Sequence, residues 1–382
     1  MKRNYYSLLT MLAITLGCSN LKGQTNDDVI NLLINKNIIK QEDADSLRSE
    51  AAIKAQEQKE KQKSFNITAK RGIGISGYIQ NRFQSLQEAG KPDANDIRRA
   101  RLDFKGNVTP TWEYRLHVDM AGTPKILDAI ATFKPYDQFK IQAGQFKIPL
   151  SLENNTSSNN MEVIERAQVV EALVARNRDV IGNHNGRDIG IQAFGSILKI
   201  KGSFIVDYFV AGFQGVGINT SDNNEPKDFG ARIVIHPIKG LDLGASYYNG
   251  FNRFGTIVKN EIRKRVGGEI TYTYNIISIR GEYIQGEDGD FENKTGYNHI
   301  EREGWYGQLS CYVIAKKLQL VGRYDTYDPD KDKSENATTN VLGGVTFFFN
   351  DWAKLQVNYT SRNESGKIIN NDIIGAQLQI AF

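Results

Sequence analysis

The chain has 382 residues, 40% hydrophobic and 24% charged, with a formal net charge of +4. No interior stretch reaches the roughly 18 consecutive apolar residues that a membrane helix needs, so a helical membrane protein is excluded. The small charge gives no sign of a nucleic-acid partner, and none is expected.

The N-terminus reads as a leader. Lys2 and Arg3 precede an apolar run from Leu8 to Gly17, the layout of a secretory signal peptide over residues 1–23. Gly23 offers a cleavage point. Cys18 in "TLGC" offers a competing lipoprotein site, although Thr15 stands where a Leu is usual. Removing the leader leaves a charge of about +1 and one cysteine, Cys311, so no disulfide can form within the exported chain. Residues 24–64 differ in pattern from the rest of the chain. Val29, Leu32 and Leu33 have helical spacing, and Ala44, Leu47 and Ala51 make a second thin stripe before the polar "KAQEQKEKQKS". A short periplasmic helical segment is expected there, with a solvated tail as the alternative.

From Gly72 the period changes to two. "WEYRLHVDM" puts Trp112, Tyr114, Leu116 and Val118 on one face and Glu113, Arg115, His117 and Asp119 on the other. "GISGYIQNRFQ" and "AKLQVNYTSR" alternate likewise. The connections also alternate, tight turns such as "HPIKG" with long polar loops such as "QGEDGDFENKTGYNHIE". This is the layout of a membrane-spanning barrel. About sixteen strands are counted, each near the ten residues that cross a bilayer at a tilt. In lipid no backbone hydrogen bond can stay open, so the sheet must close on itself. The expected fold is therefore an all-β, closed antiparallel transmembrane β-barrel over residues 65–382. Its last strand places Ile374, Ala376, Leu378, Ile380 and Phe382 on one face and ends on an aromatic. That ending resembles the signal read by the outer-membrane insertion machinery.

Residues 148–186 break the alternation and are too long for an ordinary connection. Within them "MEVIERAQVVEALVARN" has partial helical spacing. A sixteen-stranded barrel leaves an aqueous lumen, and this loop is expected to fold into it.

"DIRRARLDFKG", residues 96–106, puts Arg99, Arg101, Asp103 and Lys105 on one face and Ala100, Leu102 and Phe104 on the other. A soluble sheet would bury the second face; a barrel turns it to lipid and the first face to water. Alternation then places Arg98 on the lipid side, at the rim near the head groups.

"RRARLDFKG", "GQFKIPLSLE", "VIERA" followed by "RNRD", and "GRDIGIQA" together resemble the phosphate-selective porin O and P family. The resemblance spans about residues 65–382. It implies a sixteen-stranded, trimeric outer-membrane porin with a pore narrowed by inward loops and lined with cations. Arg99 and Arg101 match the family's Arg-rich second strand. The family's phosphate-selective members also carry lysines at the constriction, whereas no lysine occurs here between Lys147 and Lys199. The loop's cations are instead Arg166, Arg176 and Arg178.

The residues expected to line the pore or bind anions are Arg99, Arg101, Lys105, Arg115, Lys147, Arg166, Arg176, Arg178, Arg263 and Arg265. Arginine keeps its charge and donates two parallel hydrogen bonds to an oxyanion. The competing reading pairs these arginines with neighbouring acids as braces of the wall. "GIGISG" at 72–77 matches a dinucleotide pattern but lies inside an alternating strand with no helix after it. The four histidines show no paired metal spacing, and no nucleophile motif occurs. No cofactor or metal and no enzymatic activity are expected. The expected function is passive diffusion of small solutes across the bacterial outer membrane, with preference for anions such as phosphate. Lipopolysaccharide and outer-membrane lipid would surround a homotrimer. The alternatives are a surface-displayed binding barrel without conductance, and a lipid-acting barrel enzyme.

Overall fold

The computed structural model describes residues 65–67, 72–88, 91–200, 202–253, 260–289, 299–366 and 369–382, with Lys36 alone before them. The leader, Cys18 and the helical segment expected over residues 1–64 lie outside the described residues. The chain divides into two units, Met1–Gln62 and Lys63–Phe382, and every described strand belongs to the second.

The strands are β1 (Phe65–Ile67), β2 (Ile73–Leu86), β3 (Ala94–Thr109), β4 (Trp112–Asp119), β5 (Lys125–Tyr136), β6 (Phe139–Lys147), β7 (Arg187–Ile200), β8 (Ser203–Phe213) and β9 (Asp228–Ile238). They continue as β10 (Leu241–Asn252), β11 (Glu261–Tyr274), β12 (Ile277–Gly289), β13 (His299–Ile314), β14 (Leu318–Asp328), β15 (Thr338–Phe348), β16 (Ala353–Glu364) and β17 (Ile373–Ala381). From β2 each strand pairs antiparallel with the next, and β17 returns to β2, closing a sixteen-stranded barrel. At the seam Ile380 lies opposite Ile79, and Gly77 and Phe382 exchange both backbone bonds at 2.9 Å. A Cβ on Gly77 would stand 2.6 Å from the Phe382 ring, so this position needs glycine. β1 pairs with Ile73–Ile75, covering the part of the β2 edge that β17 does not reach.

Alternation explains the wall. In β14, Leu320 and Tyr324 face outward while Gln319, Arg323 and Asp325 are buried inside. Such strands turn their apolar face to lipid and their polar face to the lumen. Aromatic pairs gather near the tight turns: Trp112 with Phe133 and Phe347 with Phe349, each 5.1 Å apart. These form part of the aromatic girdle at the membrane interface.

The loop 148–186 follows the fifth barrel strand and fills much of the lumen. It carries α1 (Leu152–Asn155), a 3-10 turn (Ser158–Asn160) and α2 (Gln168–Leu173). The helix suggested by the spacing of 161–177 is therefore cut to six residues. The chain before it lends its backbone to the wall instead: Met161 O accepts from Lys354 Nζ at 2.8 Å, and Ile164 N–H donates to Asn358 Oδ1 at 2.8 Å. Backbone groups committed to side chains of the wall are lost to helical bonding.

α2 carries Val169, Val170, Ala172 and Leu173 into an apolar core with Phe146, Phe213, Tyr248, Ile284, Tyr306 and Tyr327. Met161 and Val163 make a smaller cluster with Val321 and Leu342. The barrel thus has apolar cores inside it, between the loop and the wall.

Candidate functional site: a cationic cavity between loop and wall

On the other side of the loop, facing β3–β7, lies a cavity of about 190 Å³. Its lining comes from Arg101 of β3, Arg115 and His117 of β4, Lys147 of β6, Arg187 of β7, and Asn155, Ser157, Ser158, Arg166 and Arg176 of the loop. Among the described residues, no carboxylate lines it.

The wall cations are held from behind. Arg101 Nε meets Asp119 Oδ2 at 2.8 Å, and its Nη1 donates to the Tyr78 hydroxyl at 2.9 Å. Arg115 makes a two-point contact with Asp103, at 2.8 and 2.9 Å. Arg187 grips Asp128 at 2.7 and 3.2 Å, and His117 Nδ1 reaches the same carboxylate at 2.9 Å. A bulge in β5 makes this possible: the register steps at His117/Val118, leaving Leu127 extra and both Leu127 and Asp128 buried.

The remaining cations have neutral partners. Lys147 Nζ donates to the carbonyls of Asn155 and Thr156 at 3.1 and 3.2 Å. Arg166 binds the carbonyls of Glu153 and Thr156 and the Ser158 hydroxyl. Arg176 binds Asn154 Oδ1 at 2.7 Å and the Asn185 carbonyl. Among the described residues, none of Lys147, Arg166 and Arg176 forms an ion pair with a carboxylate. Burial pulls the Arg176 guanidinium well below arginine's ordinary range, and repulsion from Arg166, Arg187 and Arg99 adds to this. Carbonyl oxygens solvate such charges without neutralising them.

Asn154 fixes the loop's two ends. Its amide donates to the carbonyls of Ile148 and Gly186 while its oxygen takes Arg176. Gly186 has φ 68°, and a Cβ there would sit 1.7 Å from Asn154 Oδ1. Only glycine meets both demands.

Of the ten residues picked from the sequence, Arg101, Arg115, Lys147, Arg166 and Arg176 converge on this cavity. Arg99 is adjacent on the lumen face and donates to Gln80 Oε1 at 2.8 Å. Lys105 lies further along β3, exposed and opposite Arg115. Arg178 is exposed beside Gln168, which is itself bonded to Asp325, away from the cavity. Arg263 and Arg265 require correction as pore-lining residues. They are 1% and 0% exposed, and both meet Asp179, Arg263 at 2.9 Å and Arg265 at 3.8 Å. Arg265 also meets Asp288 at 2.7 Å. They clamp the loop to the wall.

Arg98 is a second correction. A bulge between Gln80 and Asn81 of β2 sets Arg99 opposite Gln80 and Ile97 opposite Asn81, leaving Arg98 extra. Arg98 does not anchor in head groups; it binds Glu165 of the loop, which also binds Arg82. Arg187 and His117 were missed by sequence reasoning. Arg187 stands in the "GRD" that opens β7, and the lumen-facing parity of His117 was visible.

A second cavity, of about 180 Å³, is lined by residues of β8–β11 and Leu152. Its charges compensate one another. Arg232 binds Glu269, and His236 lies between Asp207 at 3.1 Å and Asp242 at 2.6 Å.

A closed sixteen-stranded barrel with a loop folded into its lumen defines an outer-membrane channel. The chain matches the phosphate-selective porin O and P family over residues 73–260 and 245–382, and it belongs to that family. It is an outer-membrane porin rather than an enzyme. Similar solved structures include an anion-selective porin from Comamonas acidovorans, 11% identical with a TM-score of 0.61, covering 81% of this chain and 99% of that one. The outer membrane channel DcaP of Acinetobacter baumannii is 13% identical with a TM-score of 0.58, over 81% and 97%. OmpF of Salmonella typhi, in complex with daunomycin, is 11% identical with a TM-score of 0.59, over 83% and 100%. No curated protein matches the sequence.

Proposed function

We propose that this porin favours small anions, and oxyanions such as phosphate in particular, which pass between the β3–β7 wall and the loop. The observation that carries the proposal is the cavity with Lys147, Arg166 and Arg176 on neutral acceptors and, among the described residues, no carboxylate in its lining. Mobile anions complete such a site. Selective conduction calls for binding strong enough to admit an ion and weak enough to release it, and the cavity's cations are shared among several strands and the loop. The family's name supports the same reading.

The test is the reversal potential of the purified channel in a planar bilayer under a potassium chloride gradient. An anion-selective potential is expected, and Lys147→Met should lower the anion-to-cation permeability ratio severalfold. A cation-selective wild type would overturn the proposal. Liposomes that stay impermeable to small solutes would instead favour a displayed barrel without conductance. We further propose a homotrimer surrounded by lipopolysaccharide, with the C-terminal Phe382 read during membrane insertion. Vibrio cholerae OmpT, a structural neighbour, has a trimer form. Light scattering in detergent tests the oligomer, and a monomer would overturn it.

A further inference from the structure

His117 differs from every other lining group of the cationic cavity that carries a formal charge or titrates. Its Nδ1 lies 2.9 Å from Asp128 Oδ2. That carboxylate already accepts from Arg187 at 2.7 and 3.2 Å and meets Arg115 at 3.3 Å, so it is ionised and can only accept. Nδ1 must therefore carry the proton. Nε2, the other ring nitrogen, has no hydrogen-bond partner among the described residues, and the ring lines the cavity.

His236 shows the contrast. Both of its nitrogens face carboxylates, Asp207 and Asp242, an arrangement that favours the doubly protonated ring. His117 has one carboxylate only, and Arg115 and Arg187 crowd the same carboxylate. A second ring proton would add a further positive charge among fixed positive charges. The neutral ring thus offers a lone pair on Nε2 to a cavity whose charged lining groups are all cationic donors, beside the neutral Asn155, Ser157 and Ser158.

We propose that His117 Nε2 is the acceptor by which this porin distinguishes oxyanions that carry a proton from those that do not. Phosphate and arsenate near neutral pH keep at least one acidic O–H and can donate it to Nε2. Sulfate has none and would meet the lone pair with its own. The principle is that of any site built to pair with a substrate hydrogen: an analogue lacking it leaves a buried polar group unpaired and is rejected. The cations supply attraction common to all anions, and His117 supplies the discrimination. This inference rests on the anion reading above and names the class of anion that reading favours.

The test measures block of chloride current by phosphate and by sulfate at pH 7.5, in wild type, His117→Phe and His117→Gln. In the wild type, phosphate should block at roughly tenfold lower concentration than sulfate. His117→Phe should collapse that ratio by weakening phosphate block several-fold more than sulfate block. His117→Gln, whose side-chain oxygen can accept, should retain part of it. Equal block of an anion-selective wild type by the two ions would overturn the role of His117 alone. Equal weakening of phosphate and sulfate in His117→Phe, with Gln no better, would assign the ring to packing. A cation-selective wild type would overturn the anion reading itself.

Discussion

Arg101 and Lys147 face the same cavity but are held differently, and their substitutions should differ accordingly. Arg101 is paired with Asp119, which is 4% exposed. Arg101→Ala therefore removes a cation and uncovers a buried carboxylate, whereas Lys147→Met removes only a cation. The larger loss of anion preference is expected from Arg101→Ala, and Arg101→Ala/Asp119→Ala should regain part of it. Reversal potentials across the double-mutant cycle measure the coupling. Arg99→Ala should have a smaller effect, because Arg99 spends one nitrogen on Gln80 and stands beside the cavity. Residue parity was readable from the sequence along β3 up to Arg99 and failed at Arg98. A bulge inserts one residue without altering the run of side-chain types around it, so alternation alone cannot reveal it. The pairing of Arg263 with Asp179 was hidden for a different reason: the partners lie 84 positions apart, on elements that only the folded loop brings together.

The loop is an element whose docking is set by a few buried charges. Asp179 accepts from Arg263 and receives the Ala175 N–H at 2.7 Å. Burial raises its pKa, but Arg263 and Arg265 outweigh burial, and the net shift is downward. With the folded value depressed, its contribution to loop docking is full above the ordinary aspartate value of about 3.9 and is lost as pH falls through the depressed value. Channel recordings should therefore turn noisy, with enlarged conductance, below about pH 4, while recordings at pH 6 stay quiet. Asp179→Asn leaves Arg263 without its carboxylate and should cost about 3 kcal/mol of docking. Hydrogen exchange at the amides of Glu171 and Arg178 should then quicken roughly 100-fold, a factor that follows from that energy. Unchanged exchange would mean that the apolar core of α2 alone holds the loop. Gly186→Ala should displace Asn154 and with it Arg176, lowering anion preference without removing any charge. The loop's position after the fifth barrel strand and its inward fold were legible from its length and from the broken alternation. Its brief helix was not, because wall side chains claim the backbone before Gln168.

At the scale of the whole molecule, sixteen strands, their alternation and the asymmetry between tight turns and long loops were readable, since lipid outside and water inside impose a period of two on every strand. Closure followed from the same physics, and the seam can be tested directly. Gly77→Val would drive a side chain into the Phe382 ring. Little folded barrel should form, seen as loss of the heat-modifiable band in unheated gel electrophoresis. A normal fraction of that band would show that the seam tolerates a shift at its periplasmic end.

A cylindrical sheet one strand thick resists stretching far better than it resists flattening. The loop leaves the wall at β6 and is fastened across the interior: to Gln80 of β2 through Ser158, to Arg263 of β11, to Arg323 of β14, to Asn358 of β16 and to Gln379 of β17. It is a spar across a thin shell. Lateral pressure from the bilayer that would make the cross-section oval must first break those fastenings. The same segment that narrows the passage therefore holds its width steady against the mechanical state of the membrane.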